Sequence, residues 1–225
     1  MQLVFRPQGA RCGAWHHTPW WHCVLHDPYE RINVWSHFLP GAAFFFLGLA
    51  SYLGWMLGAE ASWVHNPLGI FCFCAAWTHL GSAVTHVWPD SFTLEKLDHI
   101  GIVVLILGTP VTALMAHEHG GIPADMKACF VGMLGAAFLP PAPRVAGFAA
   151  GVLAMVAMHF RKIMNANLAM QLVLYAVGGA AFLRNGGHGG KRPVFLSDHH
   201  LLHYAVTVAC GMHAFYILAA MRVDA

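Results

Sequence analysis

The sequence predicts an all-α integral membrane protein, a bundle of seven transmembrane helices. Three observations predict it. Of 225 residues, 58% are hydrophobic and only 10% are charged, whereas a soluble domain carries about 25% Asp, Glu, Lys and Arg. Mean hydropathy is +0.57, which would leave a soluble chain with large exposed apolar patches. The apolar residues form long charge-free runs with little period-two alternation. Such runs favour helices, which satisfy their own backbone in lipid, over a transmembrane barrel.

The first run covers Val34 to Leu57, the second Pro67 to Trp88 and the third His99 to Ala116. The fourth and fifth lie either side of Arg144, near Ala128 to Ala142 and Val145 to Phe160. Pro140, Pro141 and Pro143 punctuate the turn between them. The sixth runs from Ala166 to Leu183 and the seventh from Leu201 to Met221. A helix needs about 20 residues to cross, so the fourth and fifth are short. The 33 residues from Ala128 to Phe160 are nevertheless too many for one crossing. The alternative is a single kinked helix there and six spans in all. Residues 1–29 are expected to form a short cytosolic segment without a cleaved signal or a regulatory domain, and 30–225 a single membrane domain without repeats.

Lys and Arg set the expected orientation. With seven spans, the side of the N-terminus holds Arg6, Arg11, Arg31, Lys96, Arg144, Arg184, Lys191 and Arg192, eight in all. The other side holds Lys127, Arg161, Lys162 and Arg222, four in all. The bias places the N-terminus in the cytosol and the C-terminus outside. The net charge of +2 offers no basic patch for nucleic acid. The six cysteines are scattered, with no CxxC pair, and suggest neither a disulfide framework nor a thiolate zinc site.

Ionisable residues at membrane depth are costly, so each is a functional candidate. The chain has 17 histidines, and two i, i+4 pairs occur, His22 with His26 and His199 with His203. Random placement would give roughly one such pair, so spacing alone carries little. Topology carries more. His86 ends the second span, Asp98 begins the third, and His199 and His203 begin the seventh, so all four fall on one face of the membrane. Ser82 sits one turn from His86. Three histidines with an open position match a catalytic zinc site, and a carboxylate can hold the nucleophilic water without binding the metal. The plainer alternative is that helix-end histidines bond backbone carbonyls or sit among headgroups, and that Ser82 joins two helices. His117-Glu118-His119 forms a rival cluster in an outer loop. His16-His17 and the neighbouring tryptophans suit an interfacial belt. His37, His79, His159 and His213 show no acidic partner and are read as packing or hydrogen-bonding groups.

Four motifs in order resemble the progestin and adipoQ receptor (PAQR) family, which includes the adiponectin receptors and the hemolysin-III-like proteins. They are Glu30-Arg31-Ile32-Asn33-Val34-Trp35-Ser36-His37, Ser82 with His86, Lys96-Leu97-Asp98-His99-Ile100-Gly101-Ile102, and Asp198-His199-His200-Leu201-Leu202-His203 followed by His213-Ala214-Phe215-Tyr216. The likeness runs from about Tyr29 to Leu218. It implies seven helices, a cytosolic N-terminus and a zinc ion held by His86, His199 and His203, with Asp98 on the nucleophilic water. Asp198 competes with Asp98 for that role, and His200 competes with His199 as a ligand because His200 and His203 also share a face.

Two functions are compatible with this reading. One is zinc-dependent hydrolysis of a lipid amide such as ceramide, with Asp98 as general base and Ser82 helping the oxyanion. The other is a receptor for an extracellular ligand, with structural zinc. A hemolysin-like, membrane-perturbing role is a third. Membrane lipids are the expected partners throughout.

Overall fold

The computed structural model describes residues 19–57, 66–89, 91–117, 123–184 and 197–223, and their regular secondary structure is entirely helical. The elements are α1 (Trp20–Leu25), α2 (Glu30–Leu57), α3 (Pro67–Val87), α4 (Phe92–His117), α5 (Ala124–Ala136), α6 (Pro141–Ile163), α7 (Ala166–Arg184) and α8 (Asp198–Val223). Six of them, α2, α3, α4, α6, α7 and α8, are long and apolar enough to cross a bilayer. The chain is an integral, multi-pass membrane protein.

The helix starts follow local chemistry. Asp27 Oδ1 accepts from the backbone N–H groups of Tyr29 and Glu30, both at 2.9 Å, and so caps the entrance to α2. Asn66 Oδ1 caps α3 by accepting from Gly69 N at 2.8 Å, with Pro67 as its first residue. Ser197 Oγ accepts from His200 N at 3.2 Å and starts α8. Pro141 sits where α6 begins, and its missing N–H costs nothing there.

The region around the prolines holds two helices rather than one kinked helix, but their bounds differ from those expected. α5 has 13 residues and is too short to meet the length for a crossing by itself. α6 has 23 and takes in Arg144, which the sequence reading placed in the turn. A Cβ on Gly147 would meet Ala136, one on Gly151 would meet Met133, and His159 Nε2 lies 2.9 Å from Asp125 Oδ2. As residue numbers rise along α6 they fall along α5, so the two form an antiparallel hairpin. Asp125 is thus the acidic partner that His159 was expected to lack. α4 also begins earlier than expected, at Phe92, which puts Asp98 in the second helical turn rather than at the helix mouth.

Two apolar clusters fill the interior. One joins Phe44, Phe71, Cys72, Leu105, Cys210 and Ile217 across α2, α3, α4 and α8. The other joins Val103, Leu114, Met126, Met133, Phe148 and Met155 across α4, α5 and α6. α4 is the wall between them. It packs tightly on α3 where Gly101 lets the backbones approach: a Cβ there would lie 3.2 Å from Thr78 Cα. Thr78 Oγ1 uses the proximity to donate to the Gly101 carbonyl at 2.7 Å.

Candidate metal centre

One end of the bundle collects the polar groups. His86, at the end of α3, meets Glu30 at the start of α2 and His199 at the start of α8. Arg184, ending α7, donates to Asp198, starting α8. Arg144, in the first turn of α6, reaches His99 in α4. The starts of α2, α4, α6 and α8 and the ends of α3 and α7 therefore lie together, as a chain of alternating helices requires.

At this end His86, His199 and His203 present ligand atoms that all lie within 4.8 Å of one another. The Nε2 atoms of His86 and His199 are 3.2 Å apart. Tetrahedral zinc with Zn–N bonds of about 2.0–2.1 Å holds its nitrogens roughly 3.3 Å apart, so the donor set fits such an ion. Two of the three outer nitrogens are already engaged. His86 Nδ1 lies 2.9 Å from Glu30 Oε2. A carboxylate only accepts, so the proton sits on Nδ1 and the Nε2 lone pair points into the cluster. His203 Nδ1 lies 3.2 Å from Ser36 Oγ, leaving its Nε2 for the cluster as well. Asn33 Nδ2 donates to the same Glu30 oxygen at 3.2 Å and fixes the carboxylate in turn.

The remaining expected residues fall as follows. His200 is turned away: its Nε2 lies 3.2 Å from the Tyr29 carbonyl and its ring packs on Tyr29, so His199 is the member of the pair that joins the cluster. Ser82 is buried and hydrogen-bonds the Asp98 carboxylate, which is also within electrostatic reach of His86 and Arg144. Asp198 is tied to Arg184, Nε to Oδ2 at 3.2 Å. His37 stacks edge-on against His203 with ring centres 3.8 Å apart, and His79 stands behind it at 4.9 Å. His79 Nδ1 bonds the Ala75 carbonyl at 2.8 Å, and His213 Nε2 lies 3.0 Å from Thr112 Oγ1, the hydrogen-bonding roles expected of them. His16, His17, Glu118 and His119 lie outside the described residues, as does the side chain of His117.

Two residues were missed. Glu30 enters the sequence reading only as the first residue of a motif, yet the alternation of helices that groups His86 with His199 also puts the start of α2 on that face. Arg144 gave no such signal. Three nearby prolines suggested a loop, whereas the side chain is 6% exposed and its Nη1 donates to His99 Nδ1 at 2.8 Å.

Fold and site together define a polytopic helical membrane protein with three converging imidazoles at one end of its bundle. A family model described as haemolysin-III related matches residues 26–139, half of the chain. The chain belongs to that family, the group that takes in the PAQR and adiponectin receptors. The match includes Glu30, Ser82, His86 and Asp98; α8, the helix that carries His199 and His203, lies beyond it. No curated protein matches the chain.

Proposed function

We propose that this protein is a zinc-dependent hydrolase of a lipid amide of the ceramide type. The observation that carries the reading is the convergence of His86, His199 and His203, with Glu30 and Ser36 holding the outer nitrogens of two of them. Among the described residues no carboxylate or thiolate joins these three as a further ligand. That pattern suits a catalytic site with an open position better than a closed structural one. Zinc there supplies Lewis acidity, which makes water a competent nucleophile near neutral pH.

The chain's own groups do the rest. Asp98 accepts the proton of the attacking water and returns it to the leaving amine as the C–N bond breaks. Ser82 donates to Asp98 and fixes its orientation, a positioning part in place of the oxyanion role expected from the sequence. The apolar helix faces around the site accommodate the acyl chains, and the amide sits at the interface where the cluster lies.

In this reading the chain crosses the bilayer seven times with a cytosolic N-terminus. Arg144 puts the start of α6 level with the start of α4, although α4 has meanwhile run 26 residues, about 39 Å, to the opposite end. A return across that depth by the connection that contains α5 and the turn at 137–140 supports the seventh crossing. The positive bias of the loops sets the orientation.

The test is turnover of a short-chain fluorescent ceramide by purified protein, with zinc measured on the same samples. Asp98→Asn is expected to lower turnover by about 10²–10⁴-fold with zinc content unchanged. Parent-like turnover by this variant removes Asp98 as the base. A metal-loaded parent that cleaves none of a panel of lipid amides overturns the hydrolase and leaves the receptor with structural metal.

A further inference from the structure

A groove of about 390 Å³ runs between α2 and α8, lined by Arg31, Ile32, Trp35, Ser36, Leu39 and Tyr204. Its composition is graded along the membrane normal. Arg31, Trp35 and Leu39 are spaced i, i+4, i+8 and form one face of α2. With 1.5 Å of rise per residue, Trp35 lies about 6 Å deeper than Arg31 and Leu39 about 12 Å deeper. The cation stands at the helix start, the level of the metal centre, and the side chains become apolar with depth. Leu39 is 60% exposed, Trp35 39% and Tyr204 37%, so nothing among the described residues covers the groove.

The top of the groove is held in place. Trp35 Nε1 donates to the Val24 carbonyl at 3.0 Å, and Arg31 Nη1 donates to the Leu25 carbonyl at 3.3 Å, so both side chains are pinned against the last turn of α1. An arginine has five N–H donors. This one faces solvent, and among the described residues it makes no ion pair. The rim thus offers an oriented cation, and the walls offer an aromatic and aliphatic track beneath it.

We propose that this groove binds an anionic glycerophospholipid of the surrounding bilayer, its phosphate on Arg31 and one acyl chain along Trp35 and Leu39. The charge of the rim selects the headgroup, since a basic residue at the membrane surface favours anionic lipid. The depth gradient matches a phosphate at the interface and a methylene chain below it. The site is separate from the hydrolytic one and does not depend on that reading. It does touch it: Ser36 in the groove wall lies 3.2 Å from His203 Nδ1, so the lipid sits one hydrogen bond from the histidine cluster.

The test uses the full chain in nanodiscs of unlabelled phosphatidylcholine, titrated with phosphatidylglycerol or phosphatidylcholine carrying brominated acyl chains. Bromine quenches tryptophan on contact, and Trp35→Phe isolates the contribution of Trp35 among the eight tryptophans. Half-quenching is expected at about fivefold lower mole fraction of the anionic lipid. Arg31→Gln is expected to erase that preference while leaving quenching by the zwitterionic lipid, which shows that the groove itself remains formed; Arg31→Lys is expected to retain most of it. Equal quenching by the two lipids in the parent, or a preference that survives Arg31→Gln, overturns the proposal. A Trp35 that neither lipid quenches, in a protein that sediments as a dimer, also overturns it and assigns the groove to a second copy of the chain.

Discussion

The half of the bundle made by α3 and α4 and the half made by α6 and α7 solve the membrane problem differently. In α3 and α4, 56% and 61% of the most apolar stretch is buried within the protein; in α6 and α7 the share is 17% each. The first half carries most of the buried polar groups of the two, and those groups cross-link helices: Thr78 to Gly101, His79 to Thr207, Thr112 to His213 and His86 to Glu30. The second half turns Leu153, Met158, Val173 and Val177 outward. Lipid is as apolar as these side chains, so no hydrophobic force drives them inward. In α3 and α4 the buried faces are also the ones that carry these polar cross-links, beside the apolar clusters.

Breaking the histidine cluster tests that contrast most strongly. His203→Ala removes one of three converging donors, and metal affinity is expected to fall by more than the roughly 100-fold that loss of an outer partner produces. Equal zinc content per chain in parent and variant, measured by elemental analysis, would remove the centre. The parent itself is expected to lose metal on acidification, because imidazole must be neutral to bind.

Glu30→Gln asks whether the dense half extends past the ligands. Glutamine can still accept from His86 Nδ1 but carries no charge. A drop of about 10–100-fold in metal affinity is expected, with a shift in the visible bands of the cobalt-substituted protein that reports a changed His86 donor. Parent-like affinity and spectrum would reduce Glu30 to a helix-start residue.

Gly147→Ala sharpens the other side. The new Cβ would lie 2.5 Å from the Ala136 Cβ, a rigid neighbour, so α5 and α6 must move apart. A loss of about 1–3 kcal/mol in stability is expected, read from thermal unfolding in detergent, with metal content unchanged. A variant that loses metal as well would show that the sparse half supports the centre, through Arg144 and His99.

The smallest effect is expected at Asp125→Asn. Its contact with His159 lies at the end of the hairpin away from the cluster, and the Asp125 side chain is 39% exposed. Roughly 0–1 kcal/mol is expected, with activity and metal content at parent levels. A larger loss in unfolding experiments would mean that the hairpin depends on this pair.

The sequence by itself determined that the chain is helical and membrane-embedded, since lipid permits few alternatives to long apolar helices. Counted as seven spans, it also placed His86 on one face with His199 and His203, because alternation of helices fixes which ends lie together, and the structure brings the three together. The sequence did not determine helix ends near polar residues. α4 runs back to Phe92 through Glu95, Lys96 and Asp98, because the helix continues past its apolar stretch and Asp98 finds a partner there in Ser82, and a hydropathy run stops short of all three. The rotation of each helix about its axis was likewise decided only by tertiary packing. His199 and His200 are adjacent in the chain, and only the seating of α8 against Tyr29 and His86 sends one to the cluster and the other to a backbone carbonyl. Glu30 behind His86, Arg144 against His99 and Asp125 against His159 are pairs 34 to 56 residues apart in sequence. Each is specified by interhelical contact, and a one-dimensional pattern of apolar runs contains no term for it.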